Sequence, residues 1–332
     1  MSKKRYSLVV LSLMLVVAMV AVAGCSEELD PDAKYGGLAR LSLGASSVGS
    51  SSYNKLTIWS SLISDELDVD VTPEGTAGSV ANVQLVHTGE LEISATTPNL
   101  AREGLEGTGF AEGTKMEDLR LVLTFDSFVL QFFALESSGI SSIEDLEGKH
   151  INLSRAGSGT DTWARRVLEA AGITPDRISN LSPGEANDLM RDGGLDASAV
   201  MGSIHPSIIE LNASHDLNVF GVGDFTDEFI LEHTDMFKVT MDGGIYEGIE
   251  EPFVTAGEIS ILIASSDLPE DFVYDMVKTT YENKNQLASG YEGFATIDPE
   301  DIGLGMIPLH PGAYRYYEEL GLELPAEVLP ID

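Results

Sequence analysis

His150-Ile151-Asn152-Leu153-Ser154 is followed by Arg155-Ala156-Gly157-Ser158-Gly159-Thr160, and then by Trp163, Val167 and Leu168 up to a stop at Gly172. A β-prone run, a loop of small residues and apolar positions at three–four spacing read as strand, loop and helix. The same succession precedes it twice. Arg40 to Gly44 leads through Gly44-Ala45-Ser46-Ser47-Val48-Gly49-Ser50-Ser51-Ser52-Tyr53 into a helix with Leu56, Trp59, Leu62 and Ile63 on one face. Val69 to Thr72 leads through Thr76-Ala77-Gly78-Ser79 into Val80, Val83 and Val86, with Ser79 as the expected N-cap.

Further strands are expected at Leu91–Ala95, Leu119–Phe125, Phe128–Glu136, Ala197–Met201 and Ile259–Ala264. A long helix is expected from Pro269 to Leu287, and a last one from Pro311 to Leu320. Alternating strands and helices imply an α/β fold with sheets covered on both faces. In such sheets ligands collect beyond the carboxyl ends of the strands, which is where the three loops lie. A helix start leaves backbone N–H groups without partners, and glycines let a ligand approach them. Hydroxyls add donors, so a small anion can be held there without an arginine.

The 332 residues suffice for about two domains. With 43% hydrophobic and 22% charged residues, the chain can bury a sizeable core. Acidic residues outnumber basic ones 54 to 19, a formal charge of −35, which repels phosphate backbones and argues against nucleic-acid partners. One cysteine excludes a disulfide framework and a Cys-based zinc site. The chain has no phosphate-binding Gly-x-x-x-x-Gly-Lys loop, no zinc helix and no nucleophile elbow. The six histidines have no ligand spacing, and His205 and His310 each precede a proline, as turn residues do. Asp65, Asp68 and Asp70 lack the glycine and closing glutamate of a calcium loop. An enzyme, a metal and a cofactor are therefore not expected.

Lys3, Lys4 and Arg5, an apolar run from Ser7 to Ala23, and Val22-Ala23-Gly24-Cys25 form a secretory leader. It resembles a bacterial lipoprotein signal ending at the lipid-bearing Cys25, and an uncleaved anchor is the alternative. Residues 1–24 would be removed, 25–38 would be an acidic tether, and the rest would lie outside the cytoplasmic membrane, attached through lipid.

Ile143-Glu144-Asp145-Leu146-Glu147-Gly148-Lys149, the Gly157–Thr160 loop, Arg165-Arg166-Val167-Leu168-Glu169-Ala170-Ala171-Gly172-Ile173 and Gly305-Met306-Ile307-Pro308-Leu309-His310-Pro311-Gly312-Ala313-Tyr314 carry a resemblance. They resemble the TAXI family, the solute-binding subunits of TRAP transporters. The resemblance implies a two-lobed type II periplasmic-binding-protein fold with a ligand cleft between the lobes. Residues 39–125 and 224–332 would form one lobe and 126–223 the other, with crossings near Phe125 and Gly223.

It also implies capture of a small carboxylate or amino acid for TRAP membrane permease subunits, driven by an ion gradient. The near lobe would offer Ser47, Ser51, Ser52, Tyr53, Thr76, Ser79, Asn82 and Thr96, and the far lobe Arg155, Ser158, Gly159 and Thr160. The family's first loop usually ends Gly-Gly-Thr-Tyr-Tyr, where this chain has Gly49-Ser50-Ser51-Ser52-Tyr53. Ala77, Thr96 and Arg155 depart from the family's usual residues as well. Arg155 would pair either with a second carboxylate of the ligand or with a surface acid. A lipoprotein of an ABC importer, or of a signalling system, shares the expected fold and remains open.

Overall fold

The computed structural model describes residues 33–232 and 236–331. The chain divides into two units, one up to Leu38 and one from Ala39 onward. The leader at 1–24, Cys25 and most of the tether lie outside the described residues. The first unit contributes a short 3-10 turn at Lys34–Gly37.

The second unit is built on ten described strands: β1 (Arg40–Gly44), β2 (Asp70–Glu74), β3 (Ile93–Thr96), β4 (Leu119–Leu135), β5 (His150–Asn152), β6 (Arg177–Ser179), β7 (Ala197–Met201), β8 (Leu217–Phe220), β9 (Phe237–Met241) and β10 (Phe253–Ser265). Their order is β2-β1-β3-β10-β4-β7-β5-β6, with β8 on β4 and β9 on β10. The first three run parallel to one another, as do β7, β5 and β6. Pro73 sits on the edge strand β2, where a missing N–H costs no ladder bond.

β4 is the element that joins the two halves. Its 17 residues pair antiparallel with β10 from Leu119 to Val129, then with β7 and β8 from Leu130 to Leu135. The two strands expected at 119–125 and 128–136 are thus one continuous strand. Asp126 and Ser127, which looked like a break, are crossed without leaving the extended conformation. Thirteen residues of β10 run back alongside, with register shifts at Ile259/Ile261 and Leu262/Ile263.

The helices are α1 (Ser51–Leu67), α2 (Ser79–His87), α3 (Pro98–Glu106), α4 (Gly159–Ala170), α5 (Pro183–Arg191), α6 (Pro206–Asn212), α7 (Thr226–Glu232), α8 (Glu270–Glu282), α9 (Lys284–Gly290) and α10 (Pro311–Glu319). The long helix expected from Pro269 to Leu287 is two helices, parted at Asn283 (φ −104°, ψ 18°). The sequence also ends the second lobe near Gly223. In the structure Phe229, Met236 and Ala256 pack into the buried cluster around Leu130, Phe132 and Trp163. Tyr246 packs into the one around Phe133 and Ile208. Phe229, Met236, Tyr246 and Ala256, all after Gly223, are thus buried with residues of the second half. The first half closes over Trp59, Phe125 and Phe294, edge-on at 6.1 and 5.9 Å between centroids.

Candidate functional site

The first loop reaches α1 through Ser50, whose Oγ accepts the Tyr53 N–H at 3.2 Å. The third reaches α4 through Ser158, whose Oγ accepts the Asp161 N–H at 3.1 Å. Ser182 and Glu185 form a capping box on α5. The second loop differs from expectation. Gly78, not Ser79, is the N-cap of α2, and Ser79 is the first helical residue with its hydroxyl unspent.

These starts face one cavity of about 30 Å³. Ser46, Ser50 and Ser52 line it from the first loop, Gly78 and Ser79 from the second, and Ser158, Gly159 and Thr160 from the third. Thr96, Ser154, Phe128 and Ser260 come from strands or strand ends, and Pro183, Val200, Met201 and His205 complete the wall. The hydroxyls of Ser52, Ser79, Thr160 and Ser260 have no hydrogen-bond partner in the protein, although each residue is at most 9% exposed. They open on the cavity, which gives its wall free donors and acceptors for a small polar guest. No Asp, Glu, Lys or Arg is among the described residues of this wall.

His205 adds a further donor. Its Nδ1 accepts the Ser207 N–H at 3.2 Å, which assigns the ring hydrogen to Nε2. Burial pushes its pKa down to about 3, so the ring is neutral at ordinary pH. The helices α1, α2, α4 and α5 begin at the wall, and each start presents unpaired N–H groups and the positive end of a dipole.

Ser52, Ser79, Thr96, Ser158, Gly159 and Thr160, six of the positions named from the sequence, stand together on this wall. Thr96 Oγ1 is committed to the Ser79 carbonyl at 3.2 Å. The other six positions lie off the cavity. The side-chain amide of Asn82 donates to the carbonyls of Gly44, Ala45 and Ala95, and its Oδ1 accepts from Thr76 Oγ1 at 2.6 Å. Asn82 and Thr76 thus tie the loops together from behind. Ser51 Oγ pairs with Tyr291 Oη at 2.6 Å. Tyr53 is half-buried and Ser47 is buried, neither on the wall. Arg155 is exposed and 3.8 Å from the Glu185 carboxylate, the surface-acid option of its two.

Phe128, Ser154, Ser260 and His205 were not singled out as site residues. The three hydrophilic ones carry no loop signature. Only Ser154, held at φ 63° where a strand ends, departs from ordinary backbone.

The cleft is shut. The Val80 N–H donates to the Gly157 carbonyl at 3.0 Å across it. A Cβ on Gly78 would stand 3.0 Å from Cα and Cβ of Ser158. At the rim, Arg166 of α4 donates to Glu103 of α3 at 2.5 Å.

Among solved structures, the chain is similar to an ancestral arginine-binding protein bound to arginine, with TM-score 0.51 and 12% identity over 77% of this chain and 98% of that one. PhnD1 from Prochlorococcus marinus, in complex with methylphosphonate, follows with TM-score 0.49 and 14% identity over 76% of this chain and 90% of that one. The alkanesulfonate-binding protein SsuA from Xanthomonas axonopodis has TM-score 0.47 and 15% identity over 89% of this chain and 87% of that one. The fold is the two-lobed α/β fold of type II periplasmic solute-binding proteins. Residues 43–321 match the NMT1-like family, and the chain belongs to it.

Proposed function

We propose that this chain is an extracytoplasmic solute-binding protein, not an enzyme, that traps a small organic acid between its lobes and hands it to a membrane permease. The observation that carries the reading is the set of hydroxyls of Ser52, Ser79, Thr160 and Ser260 that open on one cavity without a hydrogen bond to the protein. The site residues are those, with Ser158 and Gly159 beside them and Ser46, Ser154 and His205 added. We assign 39–125 and 258–331 to one lobe and 126–257 to the other, which follows the packing of Phe229 and Tyr246.

The acid enters an open form, meets the donors of one lobe, and gains those of the other as the cleft shuts, so binding favours closure. The segments at 143–173 and 305–314 support a TRAP permease of the TAXI type as the partner. Cys25 carries the lipid that holds the protein at the membrane.

A thermal-shift screen over small carboxylates, sulfonates and amino acids identifies the solute, since a ligand at 100 times its Kd adds roughly 2.7 kcal/mol. Thr160→Ala then tests the site. Ser158, not Thr160, caps α4, so the variant should fold normally and bind about ten- to a hundred-fold more weakly. Affinity equal to wild type in that variant removes Thr160 from the site. Uptake in cells that survives ATP depletion but not an ionophore fits the TRAP partner; the reverse fits an ABC importer.

A further inference from the structure

The charged side chains nearest the cleft lie off its wall among the described residues. Asp126 is turned to Lys55 at 2.6 Å, Asp161 to Arg165 at 2.7 Å, and Glu258 accepts from Trp163 Nε1. Arg155 faces Glu185 in solvent. What remains on the wall is neutral: hydroxyls, backbone N–H groups and the His205 ring, with Phe128, Val200, Met201 and Pro183 among them.

A buried ammonium needs a carboxylate or several carbonyls turned towards it, and no acid lines this wall among the described residues. A second acid on the guest needs a second polar pocket or an arginine. No arginine or lysine lines this wall among the described residues. The free space, about 30 Å³, holds about two or three waters, so the guest is small even if the lobes part slightly to admit it.

We propose that the guest of this cleft is a compact monoanion, a single carboxylate or sulfonate head on a short apolar tail, without an ammonium group and without a second acid. This rests on the capture function proposed above and narrows it. The head lies among the hydroxyls of Ser52, Ser79, Thr160 and Ser260. The tail lies against Phe128 and Met201. An amino acid, and glutamate in particular, is excluded by the same walls that accept the bare acid.

Titration calorimetry on the full-length protein, at one pH and ionic strength, tests this with matched probes. Propionate, lactate and ethanesulfonate are monoanions. Alanine is propionate with an ammonium, succinate is propionate with a second carboxylate, and glutamate has both. At least one monoanion should bind, with alanine, succinate and glutamate roughly a hundredfold weaker than the best of them. Alanine, glutamate or succinate binding within about tenfold of the best monoanion, or better, overturns the inference and leaves the capture function standing. Absence of heat with every probe overturns both.

Discussion

The backbone N–H of Val80 and the carbonyl of Gly157 meet at 3.0 Å, the first in the opening turn of α2 and the second in the loop that starts α4 on the opposite side of the cleft. A main-chain hydrogen bond between two such segments requires their backbones to touch, and side chains would hold them apart. Gly78 and Gly159 are what stand there. Gly78 has φ 116°, outside the range of residues with a Cβ, and its neighbour across the gap is Ser158.

Gly78→Ala should therefore impair closure as well as strain the loop. Stability is expected to drop by about 1–3 kcal/mol. Affinity for the solute should drop at least about tenfold, and the ligand-bound radius of gyration should stay near the free value. Wild-type affinity in this variant would show that the lobes need not meet at Gly78.

Lys55 and Asp126 form an ion pair with side chains only 3% and 5% exposed, and Ser203 Oγ donates to the same carboxylate at 3.0 Å. Asp126→Asn keeps an oxygen for Ser203 but leaves Lys55 buried without a counter-charge. Urea unfolding should show a loss of about 3–5 kcal/mol. Adding Lys55→Met should return part of it. A single variant as stable as wild type would mean that Lys55 reaches water.

His310 is fully buried, its Nδ1 accepts the Gly312 N–H, and burial lowers its pKa to about 4. Below about 6.5 the unfolded chain binds a proton that the folded protein refuses until about pH 4. Stability should thus fall as pH drops through that window, by up to about 1.4 kcal/mol per unit from this residue. His310→Asn keeps a capping acceptor and removes the titration. Its stability should vary less between pH 6.5 and 4 than that of wild type; parallel curves would clear His310 of any part in acid sensitivity.

With a formal charge of −35, the chain repels itself. The Debye length falls from about 10 Å at 0.1 M salt to about 3 Å at 1 M. The melting temperature should rise between those concentrations of sodium chloride. A flat or falling trend would mean that the charges are spread too thinly to matter.

Replacing Cys25→Ala should release the protein from the membrane fraction or leave its leader uncleaved. Normal maturation with membrane retention would end the lipoprotein assignment.

The strand–loop–helix units, and the three loops that open helices at the cavity, were legible because each is local. Glycine, serine and apolar spacing lie within a dozen residues of one another. Which hydroxyl of a loop faces the guest was less legible. Ser51 and Ser52 are adjacent, yet one bonds Tyr291 and the other opens on the cavity. That choice is made by the rotation of α1 against its neighbours, which no local pattern states. Asn82 was expected as a ligand donor from the family resemblance. It is spent on three carbonyls that its own loop spacing cannot reveal. Ser260 and His205 come to the site through strand pairing and a distant turn. Phe229 follows the crossing expected near Gly223 yet packs with Phe132 and Trp163, and only tertiary packing tells which core claims it.

The long pairing of β4 with β10 bears on how the cleft moves. Two separate tethers would let the halves slide, shear and swivel independently. Here the two connections are hydrogen-bonded to each other from Leu119 to Val129, so they flex as one ribbon. A ribbon bends readily out of its plane and hardly at all within it. The register shifts at Ile259/Ile261 and Leu262/Ile263 supply the compliant spot. The molecule is left with one soft degree of freedom, a swing about a single axis. In the capture proposed above, every closure would then repeat the same alignment of Ser79 with Thr160, and selectivity would lie in the mechanics of the joint as much as in the chemistry of the wall.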